Sequence, residues 1–156
     1  MKNIKLIAYD FDGVMTDNKV YIDQNGIETV KVSRADGLAI SKIKKMGITQ
    51  IIISTEENKV VSKRAKKLNI LCLQGIVNKE IALKEFTKKV EVNLGQVIFV
   101  GNDVNDIEVM KSVGHPVCPS DAHKSIKLMS SLVLESKGGD GVVRELLDYL
   151  IMQRVE

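Results

Sequence analysis

The chain has 156 residues, 44% of them hydrophobic and 28% charged, and a formal net charge of +3. Such a length suits one domain over residues 1–156, and so ordinary a composition excludes fibrous, low-complexity and disulfide-scaffold chains. The charge is too small to demand a polyanion, and three Tyr, three Phe and no Trp offer few platforms for stacking bases, so no nucleic-acid partner is expected.

In chain order, Ile4 to Tyr9 is a short β-rich run that predicts a buried strand. A β-hairpin follows at about 19–32, where Val20 to Asp23 and Glu28 to Val32 flank Asn25-Gly26, residues that tolerate positive φ. Leu38, Ile40, Ile43 and Met46 then form a helical stripe closed by Gly47. Thr49 to Ile53 predicts the next strand; Val60, Val61, Ala65 and Leu68 the next helix. Leu71 to Leu73 and Gln96 to Val100 read as strands around a helix carrying Ile81, Ala82, Phe86 and Val90. Met110 and Val113 mark a helix before Gly114, and a last helix runs from about Val142 to Met152. Strands alternating with helices imply an α/β, Rossmann-like parallel sheet covered on both faces. No apolar run reaches the roughly 20 residues of a membrane span, and the opening MKNIKLIAYDFDG lacks a cleavage-site pattern. Cys72 and Cys118 are far apart with no CxxC, so two free thiols in a reducing cytoplasm are expected.

Acidic residues gather where the strands end. The first strand runs into Asp10-Phe11-Asp12-Gly13, at the carboxyl end where open parallel sheets bind ligands. The strand Gln96 to Val100 runs into Gly101-Asn102-Asp103-Val104-Asn105-Asp106. Two such clusters facing one crevice would share a hard divalent cation through oxygen ligands. Between them, Ser54 follows Ile53, placed to donate to a phosphoryl oxygen, and Lys79 opens a helix, placed to neutralise anionic charge.

The order acidic–hydroxyl–lysine–acidic at four successive strand ends resembles the haloacid dehalogenase superfamily over essentially the whole chain. DFDGVMTDNKVYIDQNGIE, RADGLAISKIKKMGI and KGGDGVVREL are similar to its phosphatases of 2-keto-3-deoxy sugar acid phosphates, the octulosonate 8-phosphate and nononate (sialate) 9-phosphate enzymes. The resemblance implies a hairpin in place of a cap domain, Mg²⁺ as cofactor, a small-molecule sugar acid phosphate as substrate, and a homotetramer. It also implies Asp10 as nucleophile, Asp12 as acid/base, and Ser54 and Lys79 as holders of the phosphoryl group. The metal would sit on Asp10, Asp12 and one of Asn102, Asp103 and Asp106, with Asn102 standing where the family usually has Asp. Glu56, with Arg64 and Lys67 at i and i+3 of one helix, resembles the substrate-reading set of the nononate branch, which is favoured over octulosonate. The same domain occurs fused to CMP-sialate synthetases, which implies oligomerisation as the alternative role. Lys137-Gly138-Gly139-Asp140-Gly141 would reach into a neighbour's site.

Overall fold

The computed structural model describes residues 3–155. Its elements are β1 (Leu6–Tyr9), β2 (Tyr21–Ile22), β3 (Glu28–Thr29), α1 (Arg34–Lys45), β4 (Thr49–Ile53), α2 (Val60–Leu68), β5 (Leu71–Leu73), α3 (Lys79–Lys89), β6 (Val97–Val100), α4 (Ile107–Ser112), β7 (His115–Cys118), α5 (Lys124–Met129), β8 (Leu132–Val133) and α6 (Val142–Val155). Six strands form one sheet in the order β5-β4-β1-β6-β7-β8, every pair parallel. The expected architecture holds.

Alternation along the strands divides the core in two, because successive side chains of a strand point to opposite faces. Ile7, Tyr9, Ile52, Ile98 and Val100 pack against α1, α2 and α6; Leu6, Ala8, Ile51, Ile53, Val97 and Phe99 pack against α3, α4 and α5. Each such aliphatic side chain, when fully buried, contributes roughly 1.5–3 kcal/mol. β1 is wholly buried, with β4 on one side and β6 on the other. The connections run out one way from it to β5 and return to β6 on the other side, which opens a crevice at the carboxyl ends.

Some expectations shift in detail. Leu38 is 63% exposed, and α1 buries Asp36 and Ala39 together with the expected Ile40 and Ile43. The hairpin pairs only Tyr21 with Thr29 and Ile22 with Glu28. Its turn spans five residues, in which Asp23 Oδ1 accepts from the amides of Asn25 and Ile27 and only Gly26 takes positive φ. β7, α5 and β8 are additions; β7 contains Pro116 and β8 is two residues long, so neither carries a readable period.

Asp36, 2% exposed, ties α1 to the start of α6: its Oδ1 accepts from the Arg144 amide at 3.1 Å, and burial pushes its carboxyl up while that amide bond and the Arg64 and Arg144 charges pull it back only in part. Removing it leaves the Arg144 amide without this acceptor. Asp36→Ala is therefore expected to cost about 1–3 kcal/mol in urea unfolding. An unchanged midpoint would show that this carboxylate does not join the two helices.

Candidate active site

Asp10 is the residue at which β1 leaves the sheet. Its amide still donates to Val100 O at 2.9 Å, while its carboxylate Oδ1 accepts from the Phe11 amide at 2.7 Å. The chain then coils, with Met15 N donating to Phe11 O at 2.9 Å. Gly13 makes this possible: its φ is +83°, and a Cβ there would overlap the Asn102 amide. The loops after β1 and β6 thus touch at Gly13 and Asn102.

Beneath them lies one buried cation. Lys79, the first residue of α3, places Nζ 2.7 Å from Asp10 Oδ1 and 2.7 Å from Asp106 Oδ1. Its side chain is 1% exposed. Burial opposes the ammonium charge, but the two carboxylates outweigh this and hold it above its usual range. Burial pushes the Asp10 carboxyl up to about 7, the Asp106 charge adding to the effect while Lys79 and the Phe11 amide pull it down. Asp106 is fully buried, and its Oδ2 accepts from the amides of Asn102, at 2.9 Å, and Asp103, at 3.4 Å.

A cavity of about 150 Å³ opens above, lined by Asp10, Asp12, Asn18, Ser54, Thr55, Asn102, Asp103 and Asn105. Ser54 Oγ accepts from the Glu56 amide at 3.1 Å, which leaves its proton free to donate. Asp12 Oδ1 accepts from the Thr16 hydroxyl at 3.2 Å. Burial raises the Asp12 carboxyl; the Thr16 bond opposes this and the Glu56 charge adds to it. A larger hollow of about 300 Å³, lined by residues that include Lys44, Thr49, Gln50 and Asn69, lies at the amino ends of β4 and β5. It gathers no carboxylate, so the chemistry belongs to the smaller cavity.

The Asn102 side-chain amide faces the Asp12 carbonyl oxygen at 2.9 Å and Asp10 Oδ2 at 3.2 Å. With its nitrogen on that side it donates to both. With its oxygen there, three oxygens converge, an arrangement that a bound cation would hold together. Magnesium prefers such oxygen ligands, so these residues fit it. Among the described residues, no three His, Cys, Asp or Glu side chains form a metal-binding group; the set here mixes one carboxylate, one amide and one backbone carbonyl.

The structure thus brings Asp10, Asp12, Ser54, Lys79, Asn102, Asp103 and Asp106 together. It separates the three acidic-loop candidates: Asn102 faces Asp10, Asp103 caps the following turn through Val104 N at 2.7 Å, and Asp106 is consumed by Lys79 and two amides. Asp106 therefore supports the site from behind. Glu56 joins Asp12, Glu28 and Asn58 in a narrow recess under the hairpin, its Oε1 accepting from Asn58 N at 2.7 Å. Arg64 turns away and donates to Ser33 O at 2.8 Å, and Lys67 is exposed on α2. The 137–141 segment docks on its own chain: Gly139 N donates to Val14 O at 3.0 Å, and a Cβ at Gly138 would collide with Gly13 O. Sequence reading missed Asn18, Thr55 and Asn105 in the cavity wall and Thr16 beneath Asp12. Asn18 alone left a trace, as an Asn suited to its φ of +61°.

Residues 38–146 match the haloacid dehalogenase-like hydrolases, and the chain belongs to that family. It is 35% identical over 152 residues to the 3-deoxy-D-manno-octulosonate 8-phosphate phosphatase of Salmonella typhi, covering 97% of this chain and 81% of the relative. The crystal structure of a haloacid dehalogenase-family hydrolase from Streptomyces avermitilis is 42% identical, with a TM-score of 0.93 over 95% of this chain and 85% of that one. A 3-deoxy-D-manno-octulosonate 8-phosphate phosphatase from Moraxella catarrhalis, solved with magnesium, phosphate and its octulosonate, is 30% identical, with a TM-score of 0.93 over 97% of this chain and 87% of that one.

Because the Asp10 pKa is raised from 3.8 to about 7, the folded state holds the extra proton. Its contribution to stability is present below the unfolded value and lost as pH rises through about 7. In metal-free protein Asp10→Asn is thus expected to raise Tm at about pH 8 and to change it little at about pH 4, where the wild-type carboxyl is already protonated. Thermal melts in EDTA check this; no gain at the higher pH contradicts the buried-charge account.

Proposed function

We propose that this chain is a magnesium-dependent phosphoric monoester hydrolase, acting in a single domain on the phosphate of a 2-keto-3-deoxy sugar acid. The observation that carries the reading is Asp10: a buried carboxylate, steadied by Lys79, opening onto a polar cavity with Asp12 beside it.

In this reading Asp10 attacks phosphorus and takes the phosphoryl group as an aspartyl phosphate. Asp12 protonates the departing sugar oxygen, then takes a proton from the water that cleaves the intermediate. Ser54 donates to a phosphoryl oxygen, and Lys79 offsets charge from below. Magnesium, held by Asp10, the Asp12 carbonyl and Asn102, would supply further charge stabilisation at the phosphoryl oxygens.

The class of substrate follows the named relatives, which act on octulosonate 8-phosphate. Glu56 lies beside Asp12, where a carboxylate accepts from sugar hydroxyls, and its resemblance to the acidic residue of the nononate branch is the ground for favouring a nononate 9-phosphate within that class. Arg64, bound to Ser33 O, lends that choice no support. Exposed Val20, Tyr21, Ile22 and Ile27 on the hairpin favour self-association, in keeping with a tetramer. Two free cysteines suit a cytoplasmic setting.

Asp10→Asn is expected to abolish turnover of an aryl phosphate and of both sugar acid phosphates, with the circular dichroism spectrum unchanged; residual wild-type turnover removes Asp10 as nucleophile. Glu56→Ala is expected to lower kcat/KM on the preferred sugar acid phosphate by about tenfold, the worth of one charged hydrogen bond, and on an aryl phosphate hardly at all. Equal losses on the two substrates dismiss Glu56 as the specificity residue. Wild-type protein that hydrolyses nothing with added magnesium returns the oligomerisation role.

A further inference from the structure

Thr16 is fully buried, yet every hydrogen-bonding capacity of its hydroxyl is engaged. A threonine hydroxyl has one proton to give and two lone pairs to offer. The amides of Gly13 and Asn18 both donate to Oγ1, each at 3.2 Å, and fill the lone pairs. The remaining partner is Asp12 Oδ1, at 3.2 Å, so the hydroxyl proton has one place to go. Its backbone is held too. Thr16 pairs with Val32 at the base of the hairpin, and Gly138 and Gly139 pack against the Thr16 backbone from the other side.

We propose that Thr16 is a positioning residue: it commits Asp12 Oδ1 to accepting a hydrogen bond and so reserves Oδ2 as the oxygen that exchanges a proton with the leaving group and the hydrolytic water. This rests on the reading of Asp12 as acid/base. A proton on Oδ1 would meet a hydroxyl with no free lone pair, hydrogen against hydrogen, so hydrogen-bond accounting decides which oxygen carries it. In the first half-reaction a carboxylate oxygen of Asp10 bonds to phosphorus while the bond from phosphorus to the sugar oxygen breaks; its electron pair leaves with that oxygen, and the Oδ2 proton follows. In the second, a water oxygen bonds to phosphorus while the bond from phosphorus to Asp10 breaks, its electrons returning to the carboxylate. One water proton passes to Oδ2. Oδ1 keeps the Thr16 bond through both.

The test compares leaving groups. An alkoxide needs the proton, whereas p-nitrophenolate leaves without it. Thr16→Val is expected to lower kcat/KM, which reports the steps through leaving-group departure and not the hydrolysis common to both substrates, by about 10–100-fold on a primary alkyl phosphate and by less than about threefold on p-nitrophenyl phosphate, with Thr16→Ser near wild type on both. Equal losses on the two substrates, or none, overturn the proposal. Asp12→Asn is the reference: a bias there without one in Thr16→Val overturns this proposal alone, while no bias in Asp12→Asn overturns the acid/base reading and the proposal with it. Neutron diffraction from wild-type crystals in D₂O needs neither turnover nor a folded variant. Deuterium on Thr16 Oγ1 aimed at Asp12 Oδ1 is the expected result; deuterium on Oδ1 itself, or a Thr16 hydroxyl aimed elsewhere, is the overturning one.

Discussion

Lys79 Nζ lies 2.7 Å from a carboxylate oxygen of Asp10 and 2.7 Å from one of Asp106, in a place closed to solvent. Two buried carboxylates so close repel one another, and each loses hydration; the ammonium between them is what lets both be present. Because Asp10 ends β1, Lys79 starts α3 and Asp106 closes the turn after β6, the same contact joins three elements. Asp106 then uses its other oxygen to gather the Asn102 and Asp103 amides. The position of Asn102 opposite Asp10 is therefore a consequence of the ion pair below. One ammonium against two carboxylates leaves a negative charge in excess, with half-buried Asp12 close by. A dianionic phosphate would not enter such a site readily, and a divalent cation among the Asp10, Asp12 and Asn102 oxygens would cancel that excess.

The sheet makes this arrangement cheap to build. Parallel strands with helices on both faces bury their whole length, so β1 and β6 end at the same level and their loops rise side by side. Contact between the loops then depends on small residues. Gly13 leaves room for Asn102, and Gly138 and Gly139 leave room for the backbone of the 13–17 loop. Side chains at those places would push the loops apart, and Asp12 and Thr16 with them. The hairpin is anchored at its base, where Val30 and Val32 pack on the core, while its paired residues are exposed; Glu28 reaches toward the site and accepts from Asn58 Nδ2 at 3.3 Å.

Much of the fold was legible because it follows from short-range periodicity. Buried runs of four or five residues marked β1, β4 and β6, and apolar spacings of three and four marked the helices between them. The hairpin was legible from its Gly and Asn, although the turn proved wider than Asn25-Gly26 alone. In α1, Ile40 and Ile43 turn inward as their spacing predicts, while Leu38, equally apolar, faces out because packing against α6 decides which side of the helix is buried. β7 and β8 escaped because a proline-containing strand and a two-residue strand gain their identity from neighbours in the sheet.

The site divides along the same line. Asp10, Asp12, Ser54 and Lys79 were placed at the crevice by sequence alone, since each sits within a few residues of a strand's end or a helix's start and the backbone delivers it there. Which residue of the 102–106 loop faces Asp10, where Arg64 points, and what the glycines at 138–139 touch were decided only by the tertiary structure. So was the commitment of the Thr16 proton. These depend on groups far apart in sequence, Asp106 on Lys79 and Gly138 on Gly13. A side chain's partner at such separation is set by how the elements pack, because local propensity fixes where a chain turns but not what it meets.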